Sequence, residues 1–244
     1  MRIIMLFILL NFVFTDQRNF VWTYENIMLA PGEKELELYF TNYLPEIDIS
    51  QNANINTLKL EAEIEIGMSE NLEVSFYNVF KEYPEYNAEG TFFSRKLKYD
   101  EYKLRFKYRV FKNGHKWAPL FYSELKGKPD FTKWVAEQKL IFNRKFNNIN
   151  FSFNPILELE FELQDNGKWE KEIETEFAAG LSYNRGESFS YGIDLKSSEY
   201  STYIGPVLAH GNEDKWWTIG IMKKVAGEDE KAELILRSIM GFHF

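Results

Sequence analysis

Charged side chains recur at every second position in several stretches of this sequence, and they are the residues best placed to do chemistry. Four cations follow this spacing within EYKLRFKYRVF, namely Lys103, Arg105, Lys107 and Arg109. Glutamates follow it in three further rows: Glu61, Glu63 and Glu65; Glu158, Glu160 and Glu162; and Glu170, Glu172, Glu174 and Glu176. Rows of one charge can select ions, whereas glutamates spaced by two offer no specific geometry for general acid–base catalysis.

Other residue types that support catalysis are scarce. The chain has three histidines and no cysteine, which excludes thiolate catalysis, disulfides and thiolate metal sites. His115 and His210 fall at predicted tight turns, and no glycine-rich phosphate loop or metal-ligand spacing is present. The net charge of −8 disfavours a nucleic-acid partner. The sequence therefore predicts a protein that is not an enzyme and that uses no cofactor and no metal.

The charged rows must lie on β-strands, because side chains on a strand alternate between its two faces. Apolar residues fill the positions between the charges, as Leu104, Phe106 and Tyr108 do among the four cations. About twelve segments show this period of two, and a helical stripe fits only residues 88–99. Several segments exceed the ~5–6 residues usual in soluble sheets and reach the ~9–11 that cross a bilayer. We therefore predict an all-β fold, a single transmembrane antiparallel barrel of about 12 strands.

The predicted connections alternate between tight turns and longer links. Residues that tolerate turn geometry, Gly, Asn, Asp and Ser, dominate the tight ones, which are 67–71, 112–115, 147–148, 184–188 and 211–214. The longest links are residues 44–56 and 84–100. If the chain starts in the periplasm, every tight turn lies on that side and the longer loops are extracellular, which is typical of outer-membrane barrels.

The first 17 residues have the features of a secretory signal peptide. Arg2 precedes an apolar run at residues 3–14, which is too short to span a bilayer as a helix of ~20 residues. We expect residues 1–17 to direct export and residues 18–244 to form one barrel domain. A buried first strand or helix is the alternative for this run.

Tryptophans stand near the ends of several predicted strands. They are Trp117, Trp134 and Trp169 at one end and Trp216 and Trp217 at the other. Indole side chains favour the membrane–water interface, so this placement predicts two aromatic girdles. A tryptophan at the rim of a soluble core is the alternative for any one of them.

The end of the chain carries a more specific pattern. Met240, Phe242 and Phe244 share one parity with Leu234 and Leu236, and Phe244 is the last residue. This resembles the C-terminal signature of bacterial outer-membrane β-barrels, in which a terminal aromatic residue follows apolar residues at alternate positions. The resemblance implies a porin-like barrel in the outer membrane whose partners are the surrounding lipid and the barrel assembly machinery. It also implies that Met240, Phe242 and Phe244 form the assembly signal.

On this fold the charged rows face the lumen, and they have more than one interpretation. Opposed charges can hold open a water-filled pore for passive diffusion of small polar or cationic solutes, with cations favoured by the acidic excess. They can instead form salt bridges that close the barrel, leaving a structural or surface-binding role for residues 44–56 and 84–100. As a further alternative, the charged rows only keep the interior of the barrel hydrated. A soluble periplasmic β-barrel binding protein is a further alternative.

Overall fold

The computed structural model describes residues 18–45, 57–87, 92–111, 119–212, 214–228 and 231–244. Within them the chain forms 12 strands and no helix. The strands are β1 (Lys34–Leu44), β2 (Thr57–Ser69), β3 (Leu72–Tyr86), β4 (Phe92–Arg109), β5 (Leu120–Gly127), β6 (Lys133–Phe146), β7 (Ile149–Leu163), β8 (Trp169–Arg185), β9 (Phe189–Ser198), β10 (Ser201–Gly211), β11 (Lys215–Gly227) and β12 (Leu234–His243).

All 12 strands form one closed antiparallel barrel. Each strand pairs with its neighbours in sequence, and β12 returns to pair with β1. The closing register places Leu36 opposite Phe242 and Leu44 opposite Leu234. Closure leaves no unpaired strand edge, which is the condition for a sheet to cross a membrane. The fold and strand number predicted from the sequence are confirmed.

The two faces of the barrel follow the predicted alternation. Large apolar side chains such as Phe76, Phe106 and Ile193 are exposed on the outside, while charged and polar side chains such as Glu63 and Arg105 are buried inside. A soluble protein distributes these residue types the other way round. The outside therefore suits lipid, and the soluble alternative does not fit. No helix in the described part of the chain is long and apolar enough to span a bilayer.

The hairpin of β3 and β4 corrects two predictions. Residues 84–86 and 92–100 are strand, so a loop over 84–100 and a helical stripe over 88–99 are both wrong for the described residues. The cause is a β-bulge, because Val79 pairs with Glu101 while Phe80 pairs with Tyr99, which leaves Asp100 unpaired. A bulge moves the apolar residues from one parity to the other, so the alternation looks broken in the sequence.

The tight turns that the structure describes lie at one end of the barrel, as predicted. Asn147 and Gly186 have positive φ angles of 52° and 75° there, a conformation that favours these residue types. Residues 112–118 are outside the described ranges, and with them the predicted turn at 112–115, His115 and Trp117. The same holds for the predicted signal peptide at 1–17 and for most of the link at 44–56.

Candidate functional site

The segment before β1 occupies the barrel lumen, and the sequence did not predict this. We call residues 18–29 the N-terminal plug. Phe20 and Val21 are 0% exposed although they belong to no strand. Glycines in the wall make room for them: a Cβ at Gly180 would lie 2.5 Å from the Phe20 ring, and one at Gly220 would lie 2.7 Å from Val21. In the sequence, the space for the plug is marked by Gly180 and Gly220, two glycines at inward-facing positions of long strands.

A carboxylate on β9 anchors the tip of the plug. One oxygen of Asp194 accepts hydrogen bonds from the backbone N–H groups of Val21 at 3.0 Å and Trp22 at 2.8 Å. Its other oxygen accepts a bond of 2.5 Å from the Thr23 hydroxyl. Backbone donors outside regular secondary structure need partners when buried, and here a single side chain supplies them.

A polar row on β7 holds the next part of the plug. Asn154 accepts a hydrogen bond from the Tyr24 backbone N–H at 2.6 Å and donates one to the Tyr24 carbonyl at 3.0 Å. Asn150 donates to Glu25 at 2.5 Å, and Glu25 also accepts two bonds from Asn19 at 2.6 and 2.7 Å. The plug is therefore tied to the wall both by these polar contacts and by the burial of Phe20 and Val21.

The cationic row on β4 pairs with the first acidic row, on β2. Lys103 lies 2.6 Å from Glu61, and Arg105 lies 2.7 Å from Glu63 and 2.5 Å from Glu65. The two strands are separated only by β3, so the ions meet along one wall and not across the lumen. For these residues the salt-bridge interpretation holds.

The other two cations of the row, Lys107 and Arg109, extend this network towards the tight turns. Lys107 lies 2.8 Å from Glu73 on β3, a carboxylate that also accepts a 2.9 Å hydrogen bond from the Leu29 backbone N–H of the plug. Arg109 donates to the Asn26 side chain of the plug at 3.3 Å. Lys107, through Glu73, and Arg109, directly, therefore help to hold the plug in place.

Arg105 is the centre of the network. It is 1% exposed and donates a 2.6 Å hydrogen bond to the Tyr77 hydroxyl. Its guanidinium carbon lies 5.5–5.8 Å from the ring centroids of Tyr24, Tyr77 and Tyr122. A buried cation needs such close partners to offset its lost hydration. Because Tyr24 belongs to the plug, Arg105 joins the plug to the wall.

Three carboxylates near Arg105 are close enough to bind a metal ion. Oxygens of Glu37, Glu63 and Glu65 lie within 4.8 Å of one another. Arg18 of the plug already lies 3.0 Å from Glu37, and Arg105 pairs with the other two. Protein cations therefore occupy the positions that a metal would take.

The acidic rows of β7 and β8 lie directly side by side. The register sets Glu158 opposite Glu174 and Glu160 opposite Glu172, an arrangement of like charges that costs stability unless it is compensated. Lysines of other strands pair with some of these carboxylates: Lys126 lies 2.8 Å from Glu158, Lys133 pairs with Glu160, and Lys196 lies 2.9 Å from Glu176.

Glu172 and Glu174, like Glu170, remain without a cation among the described residues. Neither Glu172 nor Glu174 forms an ion pair with any residue that the structure describes. Glu172 instead accepts a 2.5 Å hydrogen bond from the Tyr200 hydroxyl in the β9–β10 loop, and this bond raises the pKa of Tyr200 above its ordinary value. No ion pair among the described residues therefore neutralises Glu172 or Glu174.

These carboxylates line a cavity of about 510 Å³ at the end of the barrel opposite the tight turns. We call it the outer vestibule. Its lining includes Trp22 of the plug, the carboxylates Glu160, Glu172, Glu174 and Glu176, and the lysines Lys133, Lys196 and Lys231. Around the plug the lumen narrows to a cavity of about 160 Å³, and a further one of about 20 Å³ lies towards the tight turns.

The tryptophans divide between the two faces. Trp134 and Trp169 face outward at the end of the outer vestibule, as predicted, and Trp169 is 50% exposed. Trp217 also faces outward, at the other end. Placing Trp216 in a girdle is wrong, because it is 3% exposed and its indole N–H donates to Glu35 in the lumen at 2.5 Å. Adjacent residues on a strand cannot both face lipid.

The C-terminal residues lie on the outer face as their parity requires. Phe242 is 38% exposed and Phe244 is 72% exposed. His243 faces inward, with Nε2 3.2 Å from a carboxylate oxygen of Glu35. An assembly signal at Met240, Phe242 and Phe244 stays a prediction.

No protein-family model and no curated protein matches this sequence. Among solved structures, the barrel is similar to an outer membrane channel from Pseudomonas putida F1, with 8% sequence identity, coverage of 89% of this chain and 97% of that chain, and a TM-score of 0.66. The fold is that of outer-membrane β-barrels. The NanC porin is also similar, with 10% identity, coverage of 86% of this chain and 98% of that chain, and a TM-score of 0.54. What the two structures share with this barrel is the fold.

Proposed function

We propose that this protein is an outer-membrane channel through which small polar or cationic solutes diffuse passively. The observation that carries the proposal is the outer vestibule, a cavity of about 510 Å³ lined by four glutamates and three lysines, in which Glu172 and Glu174 have no ion-pair partner among the described residues. The fold shared with an outer membrane channel and a porin supports it. Residues 1–17 would direct export, and the tight turns would face the periplasm.

The preference for cations follows from the charges of the vestibule. Glu160 and Glu176 are each paired with a lysine, whereas Glu172 and Glu174 have no ion-pair partner in the described residues. Uncompensated carboxylates at a channel mouth raise the local concentration of cations and lower that of anions. The buried pairs around Arg105 are neutralised within the wall and add little to selectivity.

Passage through this barrel requires the N-terminal plug to move. The cavities of about 160 and 20 Å³ around the plug leave little room for a hydrated solute. The plug belongs to no strand, and side-chain hydrogen bonds such as those of Asp194 and Asn154 hold it. Segments with few regular backbone contacts open at lower free-energy cost than strands of a sheet. The plug would thus act as a displaceable constriction.

Conductance of the refolded protein in a planar bilayer under a salt gradient tests this function. We expect discrete current steps with a reversal potential that favours cations. A variant that lacks residues 18–29 should conduct more in each step, because the constriction is gone. A folded, heat-modifiable barrel that passes no current with or without these residues would contradict the proposal.

One observation favours a closed barrel with a structural or surface-binding role. Phe20 and Val21 are fully buried, and Arg105 ties Tyr24 of the plug to the wall. The same recordings separate the two functions. If only the variant without residues 18–29 conducts, and added solutes never produce current through the protein that retains them, the plug is a permanent part of the fold. The protein is not expected to be an enzyme in either case.

A further inference from the structure

A groove of about 500 Å³ lies on the outside of the barrel near the tight turns. Strands β10, β11 and β12 form it, and its lining includes Trp217, Met240, Phe242, His210 and Lys215. It shares neither space nor residues with the outer vestibule or the N-terminal plug. It opens on the face that the barrel presents to the membrane.

The register of the three strands arranges these side chains in two rows. His210 pairs with Trp217, and Trp217 pairs with Met240, so these three form the row farther from the tight turns. Lys215 pairs with Phe242 in the row nearer the turns. The His210 and Trp217 ring centroids are 6.2 Å apart. The groove therefore has an apolar floor with two nitrogen-bearing side chains beside it, His210 on β10 and Lys215 on β11.

Those two polar side chains lack partners within the described residues. Lys215 forms no ion pair there, although the carboxylates of Glu187 and Asp214 are in adjoining turns, and His210 makes no side-chain hydrogen bond. Asn212 shapes the turn below them by accepting bonds from the backbone N–H groups of Asp214 and Lys215 at 3.1 and 3.0 Å. A cation and an imidazole on a lipid-facing surface need a polar group from outside the protein.

We propose that this groove is a binding site for one glycerophospholipid of the periplasmic leaflet. Its phosphate would accept hydrogen bonds from Lys215 and from the His210 ring, and its acyl chains would pack on Trp217, Met240 and Phe242. The apolar floor matches the chains and the cationic edge matches the anionic headgroup. This inference rests on the membrane placement of the barrel and not on the passage of solutes.

Native mass spectrometry of the complete protein in detergent tests the site. The probes are phosphatidylglycerol and the diacylglycerol with the same acyl chains, which lacks the phosphate. We expect one phosphatidylglycerol to stay bound per barrel under activation that removes the diacylglycerol. The double variant His210→Gln, Lys215→Gln should weaken phosphatidylglycerol binding by about tenfold or more, because neutral amides replace both groups that bind the phosphate.

Lys34→Gln is the matched control. Lys34 is the exposed first residue of β1 at the same end of the barrel, but it does not line the groove. Its substitution removes one positive charge and should leave the binding unchanged. Equal retention of the two lipids, unaltered binding by the double variant, or the same loss in Lys34→Gln would each overturn the proposal. Conductance is a separate measurement, so a failed lipid site would leave the channel proposal standing.

Discussion

The carboxylate of Asp194 on β9 accepts a 2.8 Å hydrogen bond from the backbone N–H of Trp22, a residue 172 positions earlier in the chain. This contact and its neighbours join the tip of the N-terminal plug to the barrel wall. Trp22 lines the outer vestibule, so a buried side chain of a distant strand helps to hold that part of the lining. The ease with which the plug moves should depend on that side chain.

Replacing Asp194 by alanine should loosen the plug. The change removes the acceptor of the hydrogen bonds from Val21, Trp22 and Thr23, and we expect about 2 kcal/mol less stability for the closed position, or roughly a thirtyfold larger open fraction. Single-channel recording measures this as a higher open probability. Ser190→Ala is the control, because Ser190 is buried on the same strand and its hydroxyl has no described hydrogen bond. Equal open probability in both variants would show that Asp194 does not hold the plug.

Gly180→Ala should expel Phe20 from its position in the wall. The added Cβ would lie 2.5 Å from the Phe20 ring, closer than real side chains approach, while Gly180 itself belongs to the rigid sheet. We expect faster proteolysis of the segment around Phe20 and larger current steps. The double variant Gly180→Ala, Phe20→Ala relieves the clash and should return the segment to protection. A double variant as exposed as the single one would contradict this steric account.

Arg105→Met should destabilise the barrel by about 3–5 kcal/mol, because it leaves Glu63, Glu65 and Glu73 buried without their shared cation. Denaturant unfolding in detergent measures the loss. Adding Glu63→Gln to Arg105→Met should recover part of it, since one uncompensated charge is removed. If the double variant were less stable than Arg105→Met, the ion pairs would not be the cause.

The same network changes the expected effect of charge reversal. Exchanging Lys103, Arg105, Lys107 and Arg109 for glutamate would tune a pore if the row faced open water. In the structure the row neutralises Glu61, Glu63, Glu65 and Glu73, so reversal should prevent folding before any change of selectivity is seen.

Glu172→Gln with Glu174→Gln should reduce cation selectivity. These carboxylates line the outer vestibule and have no described ion-pair partner, so their removal lowers the negative potential at the mouth without breaking a salt bridge. We expect the reversal potential under a salt gradient to move towards zero, most strongly at low ionic strength. Glu70→Gln in the exposed β2–β3 turn is the control and should leave it unchanged. An unaltered reversal potential in the vestibule variant would place the selective charges elsewhere.

Local sequence was enough to determine the strands and their faces. A period of two is a property of each strand alone. The faces of residues such as Phe106 and Arg105 can therefore be predicted without knowing which strands pair with β4. The strand number and the short-turn end followed from repeating that pattern along the chain. The prediction failed locally where the bulge at Asp100 moved the apolar residues to the other parity.

Tertiary structure alone decided what the inward charges do. The pairing of Arg105 with Glu63, the uncompensated position of Glu172 and the insertion of Phe20 against Gly180 all join residues far apart in sequence. Closing the sheet with a given register sets which side chains meet and how much of the lumen is left to fill. The alternation of polar and apolar residues carries no information about either, because every inward position looks alike until the barrel is closed.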